Sequence, residues 1–297
     1  MIVGGYTMSR NRIYPYSMIV IPLLVFFIIF VIPATVGFLY AFTDWSAYIS
    51  NISFVGLKNF YEIIQDKSLS KAFVNTLIFA GVKTLIVTVL GFVFAIPLNR
   101  ELKTKRALRT IYYLPAILST LVVGLIFNAL FASRHGTINT VLEAVGLENL
   151  IFQWLGSRWP AVFTICCAEV WRNVGYAVVI TLAGLQSVNA DYIEAAKVDG
   201  AKGWQLFRRI ILPLIMPTVN VNILFSLIYG LKMFDLVYVM TGGGPGHDTE
   251  TFGTLMVNEM SRGRFSQSVA INLVFTMILV IVAILYQKLS ARWENVE

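Results

Sequence analysis

The chain has 297 residues, of which 57% are hydrophobic and only 13% charged, and its mean hydropathy is +0.74. Soluble domains carry about 25% charged residues, so this composition excludes an ordinary water-soluble globule and points to a bilayer. Two cysteines exclude a disulfide scaffold, two isolated histidines exclude a His/Cys metal cluster, and the net charge of +7 poses a question of sidedness before one of nucleic acid.

A helix needs roughly 20 mostly apolar residues to cross the hydrocarbon layer. Six stretches meet that test: 17–42, 72–98, 110–132, 160–182, 211–240 and 267–286. The first follows Arg10 and Arg12 as a secretory leader does. Its apolar run is longer than the roughly 7 to 15 residues of a leader and lacks a small-x-small cleavage site, so it reads as an uncleaved anchor. In the fourth, Cys166 and Cys167 read as packing residues, and Glu169 stands three residues from Arg172. The fifth is interrupted by Pro213 and Pro217 and carries Lys232 three residues from Asp235. At that spacing opposite charges can neutralise one another on a helix face.

Lys and Arg alternate in density between the segments that join the spans. The set Arg10, Arg12, Arg100, Lys103, Lys105, Arg106, Arg109, Lys197, Lys202, Arg208, Arg209, Lys288 and Arg292 numbers 13; the other side holds 7, namely Lys58, Lys67, Lys71, Arg134, Arg158, Arg262 and Arg264. The positive-inside rule therefore puts both termini of a multi-pass membrane protein in the cytoplasm. The basic balance is topology, and no nucleic-acid partner is expected.

No G-x-x-x-x-G-K-[ST] phosphate loop occurs, and the spans lack the chain of Asp, Glu and His that a proton relay needs. A pump built on this chain must draw its energy from a partner. The fourth loop, 191–213, is the place to look for one. Tyr192 to Val198 suits a short helix, Gly200 a left-handed turn, and Trp204 to Leu212 a second helix stopped by Pro213. Ala195, Ala196 and Ala201 leave room for another backbone, and Phe207 offers a bulky knob. Asp191, Glu194 and Asp199 disfavour an anionic lipid surface and favour a protein.

Glu194-Ala195-Ala196, Asp199-Gly200-Ala201, Phe207, Ile210, Leu212-Pro213 and Pro217 resemble, in register, the EAA loop of binding-protein-dependent ABC importer permeases. Phe54-Val-Gly-Leu-Lys-Asn59-Phe60, and Thr241 to Gly246 with Thr249, resemble the sugar-importing, MalF-like branch of that family. The glycine run itself reads as a tight turn that admits close approach of a docked protein. The resemblance implies an all-α polytopic protein of six spans, with a single permease domain over 1–297, five core spans over 72–287 and a cytoplasmic coupling helix-turn-helix. It implies that the EAA loop docks on a cytoplasmic ABC ATPase dimer, which would use the ATP and Mg while this chain holds no cofactor and no metal. It also implies a second permease subunit, in a heterodimer, and an extracytoplasmic solute-binding protein, with lipid around the spans.

Sugars are held by aromatic faces and a few placed polar groups. In the fourth span Trp171, Arg172, Asn173 and Tyr176 cluster within two turns; in the fifth, Ser226, Tyr229, Gly230 and Met233 form one stripe. Polar groups facing lipid are costly, so both patches are expected to face a shared cavity, and the family's sugar-contacting positions align on or near them. Arg172 is expected either to pair with Glu169 or to meet an anionic cargo. The expected function is the membrane pathway of an ATP-driven sugar importer, without bond chemistry of its own. The alternative is a stand-alone secondary transporter or channel for a polar solute, which has no use for the EAA loop.

Overall fold

The computed structural model describes residues 17–100, 103–133 and 136–294, so Arg10, Arg12, Arg134 and His135 lie outside it. The described residues form helices and turns; the single pairing of extended backbone among them is an isolated antiparallel bridge between Thr43 and Phe54. Helix α1 (Met18–Phe42) is apolar throughout, with a π-helical turn over Phe27–Val31. There follow α2 (Lys58–Gln65), α3 (Lys67–Leu98), α4 (Lys105–Ile117), α5 (Thr120–Leu130), α6 (Thr137–Ala144) and α7 (Arg158–Ser187). The chain continues through α8 (Ala190–Val198), α9 (Gly203–Leu214), α10 (Met216–Leu231), α11 (Asp235–Thr241), α12 (Phe252–Ser261) and α13 (Phe265–Glu294).

Four of these helices, α1, α3, α7 and α13, are long and apolar enough to cross a membrane unbroken. The third and fifth expected spans are not continuous helices. Helices α4 and α5 meet at 94°, because Leu118 and Ser119 take extended backbone directly after the Pro115 turn. Helices α9 and α10 meet at 74° around Ile215. Proline removes a donor and crowds the carbonyl four residues back, and Pro217 does this to the turn that contains Pro213. The break therefore falls at Ile215, and Pro213 does not stop the second helix of the loop: it lies inside α9. The expected span 211–240 also joins two helices in error, since α10 ends at Leu231 and α11 begins only at Asp235.

Helix α3 is the centre of the bundle, packed against α7 and α10. Small residues set how closely these helices approach. A Cβ on Gly91 of α3 would lie 2.9 Å from the Ala177 Cβ of α7, and one on Gly230 of α10 would lie 2.8 Å from the Ala80 Cα of α3. Fully buried Phe79, Ile165, Leu236 and Val237 knit α3, α7 and α11 at one end, whereas Leu98, Val178, Leu182 and Ile215 form the core at the other. A third core, with Ala41, Phe252 and Ile271, ties α1 to α12 and α13.

Two polar devices fasten the end of the bundle remote from α8. Asn59 is 6% exposed, and its amide donates to the carbonyls of Ala41 and Thr43, each at 2.7 Å, locking α2 under the end of α1. Asp66 caps α3 by accepting from the Ser68 backbone N–H at 2.8 Å. Partial burial would raise its pKa, but the Ser68 hydrogen bonds and the charge of Arg264 outweigh that and hold the carboxyl below its usual range.

Candidate functional site

A cavity of about 370 Å³ opens between α3, α7 and α10. Its walls bring together Arg172, Asn173 and Tyr176 from the fourth expected span with Ser226 and Tyr229 from the fifth. The remaining residues of the two sequence patches point elsewhere. Trp171 packs its ring on Phe127, centroids 5.7 Å apart, and Gly230 is the contact point with Ala80. Met233 is buried in the core with Phe79 and Val237. Of the expected stripe, Ser226 and Tyr229 face the cavity and Gly230 faces α3, whereas Met233 lies beyond the end of α10 at Leu231, where helical periodicity no longer applies.

Lys83, Asn222 and Phe225 also line the cavity and belong to neither sequence patch. Lys83 carried a signal, being a lone cation deep in the apolar 32-residue helix α3. Asn222 extends the Ser226 and Tyr229 face by one turn. The Lys83 Nζ stands 2.6 Å from the Glu169 Oε1, and both side chains are 4% exposed. The Arg172 guanidinium approaches the other oxygen of Glu169 at 3.4 Å, so the expected i, i+3 pair exists but is the longer of two. Asn173 donates its amide to the Glu169 carbonyl at 2.8 Å, and the Lys83 ammonium lies 5.9 Å from the centroid of the Tyr229 ring. Lys232 and Asp235, the other expected pair, are both exposed and form no ion pair with one another among the described residues.

The 191–213 segment folds as the expected helix-turn-helix. Asn189 caps α8 by accepting from the Asp191 N–H at 3.0 Å. At its other end Gly200 has φ +86°, the Ala201 N–H donates to the Ala196 carbonyl at 2.9 Å, and the Gly200 N–H donates to the Lys197 carbonyl at 3.0 Å. That is a Schellman motif, which needs a left-handed residue at Gly200. Glu194, Ala195 and Asp199 face outward, Ala201 is half-buried and Ala196 is buried within the chain. Phe207 is not a free knob: it is half-buried, its ring set edge-on to Phe92 of α3 at 6.2 Å and stacked on Trp204 at 5.4 Å. Trp204, 69% exposed, presents the bulky surface instead.

The glycine run after α11 is a locked turn. Gly242, Gly243 and Gly246 all have positive φ, the Thr249 hydroxyl donates to the Gly244 carbonyl at 2.7 Å, and the hydroxyls of Thr241 and Thr249 meet at 2.8 Å. Glycine is needed there for backbone conformation. Among the described residues no group of three or more His, Cys, Asp or Glu side chains is arranged to hold a metal ion.

Residues 87–295 match the family described as binding-protein-dependent transport system inner membrane component. The chain is 32% identical to the multiple sugar-binding transport system permease protein MsmF of Streptococcus mutans, over 96% of this chain and 97% of the relative. It is 30% identical to the trehalose/maltose transport system permease protein MalF of Thermococcus litoralis, over 92% of each. Its fold is similar to a chain of a bacterial ABC transporter involved in import of the acidic polysaccharide alginate, with TM-score 0.81 and 24% identity over 93% of this chain and 94% of that one. A chain of an amino acid ABC transporter is similar at TM-score 0.52 and 17% identity, covering 80% of this chain and 97% of that one, so the fold does not choose the cargo.

Proposed function

We propose that the chain, which belongs to the family of binding-protein-dependent transport system inner membrane components, is the permease subunit of an ATP-driven importer and forms the membrane path for a sugar or oligosaccharide. The cargo class is supported by relatives at 30–32% identity that are named for multiple sugars, for starch degradation products and for trehalose and maltose. Membership of this family assigns the chain to transport and leaves the stand-alone secondary transporter without support.

One observation carries the mechanism: the outward-facing loop and the cavity wall are consecutive segments of chain. Helix α9 joins α10 at the 74° bend around Ile215, and α10 then supplies Asn222, Ser226 and Tyr229 to the cavity. Ile215 is 1% exposed and anchored among Leu98, Val178 and Leu182, so a push on α8 and α9 pivots against a packed joint. Interiors at crystal-like density transmit such displacements. Phe207 against Phe92 gives the loop a second grip, on α3.

In this reading Glu194, Ala195, Asp199 and Trp204 meet a cytoplasmic ATPase dimer, where the ATP and Mg are bound and used. A second permease, related but distinct, completes the path, and an extracytoplasmic solute-binding protein delivers the sugar. Both termini and the α8–α9 loop lie in the cytoplasm. The reading is tested by affinity purification of the tagged chain in mild detergent. It expects an ATPase subunit and a second permease to copurify, with the ATPase lost from Glu194→Lys. Retention of membrane insertion together with absence of any ATPase from the parental preparation would overturn it.

A further inference from the structure

The charge on the cavity wall goes further than the cargo class. The helices that form the cavity, α3, α7 and α10, contain one acid, Glu169, and its two oxygens are both taken, by Lys83 and by Arg172. Lys83 and Arg172 line the cavity and Glu169 does not, so the wall presents two cations and no acid. The three-residue cluster carries one positive charge in excess, with the Lys83 and Glu169 side chains almost wholly buried. An uncompensated charge at such a place is expensive, and a ligand of opposite sign removes the cost.

The two buried atoms of this wall that lack a partner have the same polarity. The Nε of Arg172 is buried without a partner, and so is the Nδ2 of Asn222, a residue 3% exposed that lines the same cavity. Both atoms are donors. A guanidinium edge and an amide N–H₂ lining one cavity suit a carboxylate or phosphate oxygen better than a neutral hydroxyl. Tyr229 and Tyr176 in the same wall supply aromatic surface for a sugar ring.

We infer that the cavity is selective for an anionic saccharide, a uronate-type carboxylate or a sugar phosphate, with Arg172 and Asn222 as the residues that read its charge. The inference rests on the sugar-permease reading and narrows it. Lys83 holds Glu169, which leaves part of the Arg172 guanidinium free for the ligand, and Lys83 contributes long-range attraction from behind the Tyr229 ring.

The test separates this site from the selectivity of any binding protein. The full chain, purified with its membrane partners in lipid nanodiscs and without the binding protein, is examined by saturation-transfer NMR. The probes are digalacturonate, its methyl ester and galactose 6-phosphate. Digalacturonate is expected to bind about tenfold or more tightly than its ester. That preference is expected to vanish in Arg172→Gln, to be partly kept in Arg172→Lys, and to be abolished by the isosteric, charge-adding Asn222→Asp. Binding of galactose 6-phosphate but not digalacturonate, lost in Arg172→Gln, would keep the anion site and assign it to phosphate. Equal binding of acid and ester, unchanged in Arg172→Gln, would overturn the anion selectivity and leave the sugar permease standing. Absence of binding by all three probes would overturn the inference as well, and uptake of neutral sugars by the same complex then decides whether the sugar reading also falls.

Discussion

Lys83 and Glu169, 86 positions apart in the chain, meet at 2.6 Å with both side chains almost wholly buried, and this ion pair is a polar joint between the long helices α3 and α7. Breaking one half of a buried pair leaves the other charge without water or partner, at a cost of about 3–5 kcal/mol. Glu169→Gln strands both Lys83 and Arg172 and should lower the melting temperature of the detergent-solubilised chain more than Lys83→Met does, since Lys83→Met leaves Glu169 paired with Arg172. The double variant Lys83→Met/Glu169→Leu should recover part of the loss.

Gly200 tests the proposed coupling role of the α8–α9 loop through its backbone. A Cβ there meets nothing within 4 Å, so a substitution is penalised only by φ +86°. Gly200→Val should cost about 1–2 kcal/mol, fray the end of α8 and abolish uptake while the protein still inserts. Gly200→Asn, which tolerates the left-handed region, should retain most of the activity. Equal transport by both would detach the turn from coupling.

Gly230 and Tyr229 are neighbours with different predicted phenotypes. Gly230→Ala drives a methyl toward the Ala80 Cα and should cost about 1–3 kcal/mol of helix packing, seen as lower yield and lower melting temperature. Tyr229→Ala removes cavity wall and should leave assembly intact while weakening transport by about 1–3 kcal/mol of lost sugar contact. Competition between labelled and unlabelled sugars in whole cells reads the second effect.

Sidedness follows from the Lys and Arg distribution. Reporter fusions after Arg106 or Glu297 should behave as cytoplasmic and those after Asn59 or Pro245 as external. The reverse pattern at two or more of these sites would sink the six-span arrangement.

What the sequence made legible is what local rules control. Continuous apolar length identifies α1 and α13, and the turn at Gly200 is readable because a Schellman motif involves only residues near it. The bends at Leu118–Ser119 and Ile215 were not readable, because a proline says that a helix is disturbed without saying which neighbour will hold the broken ends. Helical periodicity placed Ser226, Tyr229, Gly230 and Met233 on one stripe; it carried no information on whether α3, α11 or open space lies opposite each. Lys83 escaped for a similar reason: its partner is far away in sequence, and only the packing of α3 on α7 brings them together.

The central claim, that this chain forms a sugar path driven by a partner's ATP hydrolysis, is tested most directly in proteoliposomes that contain the copurified complex and receive the sugar-loaded binding protein. Accumulation of labelled sugar is predicted to require ATP on the side of the α8–α9 loop, to persist when ion gradients are collapsed, and to disappear in Gly200→Val. Accumulation without ATP, driven by an imposed proton or sodium gradient, would contradict the account.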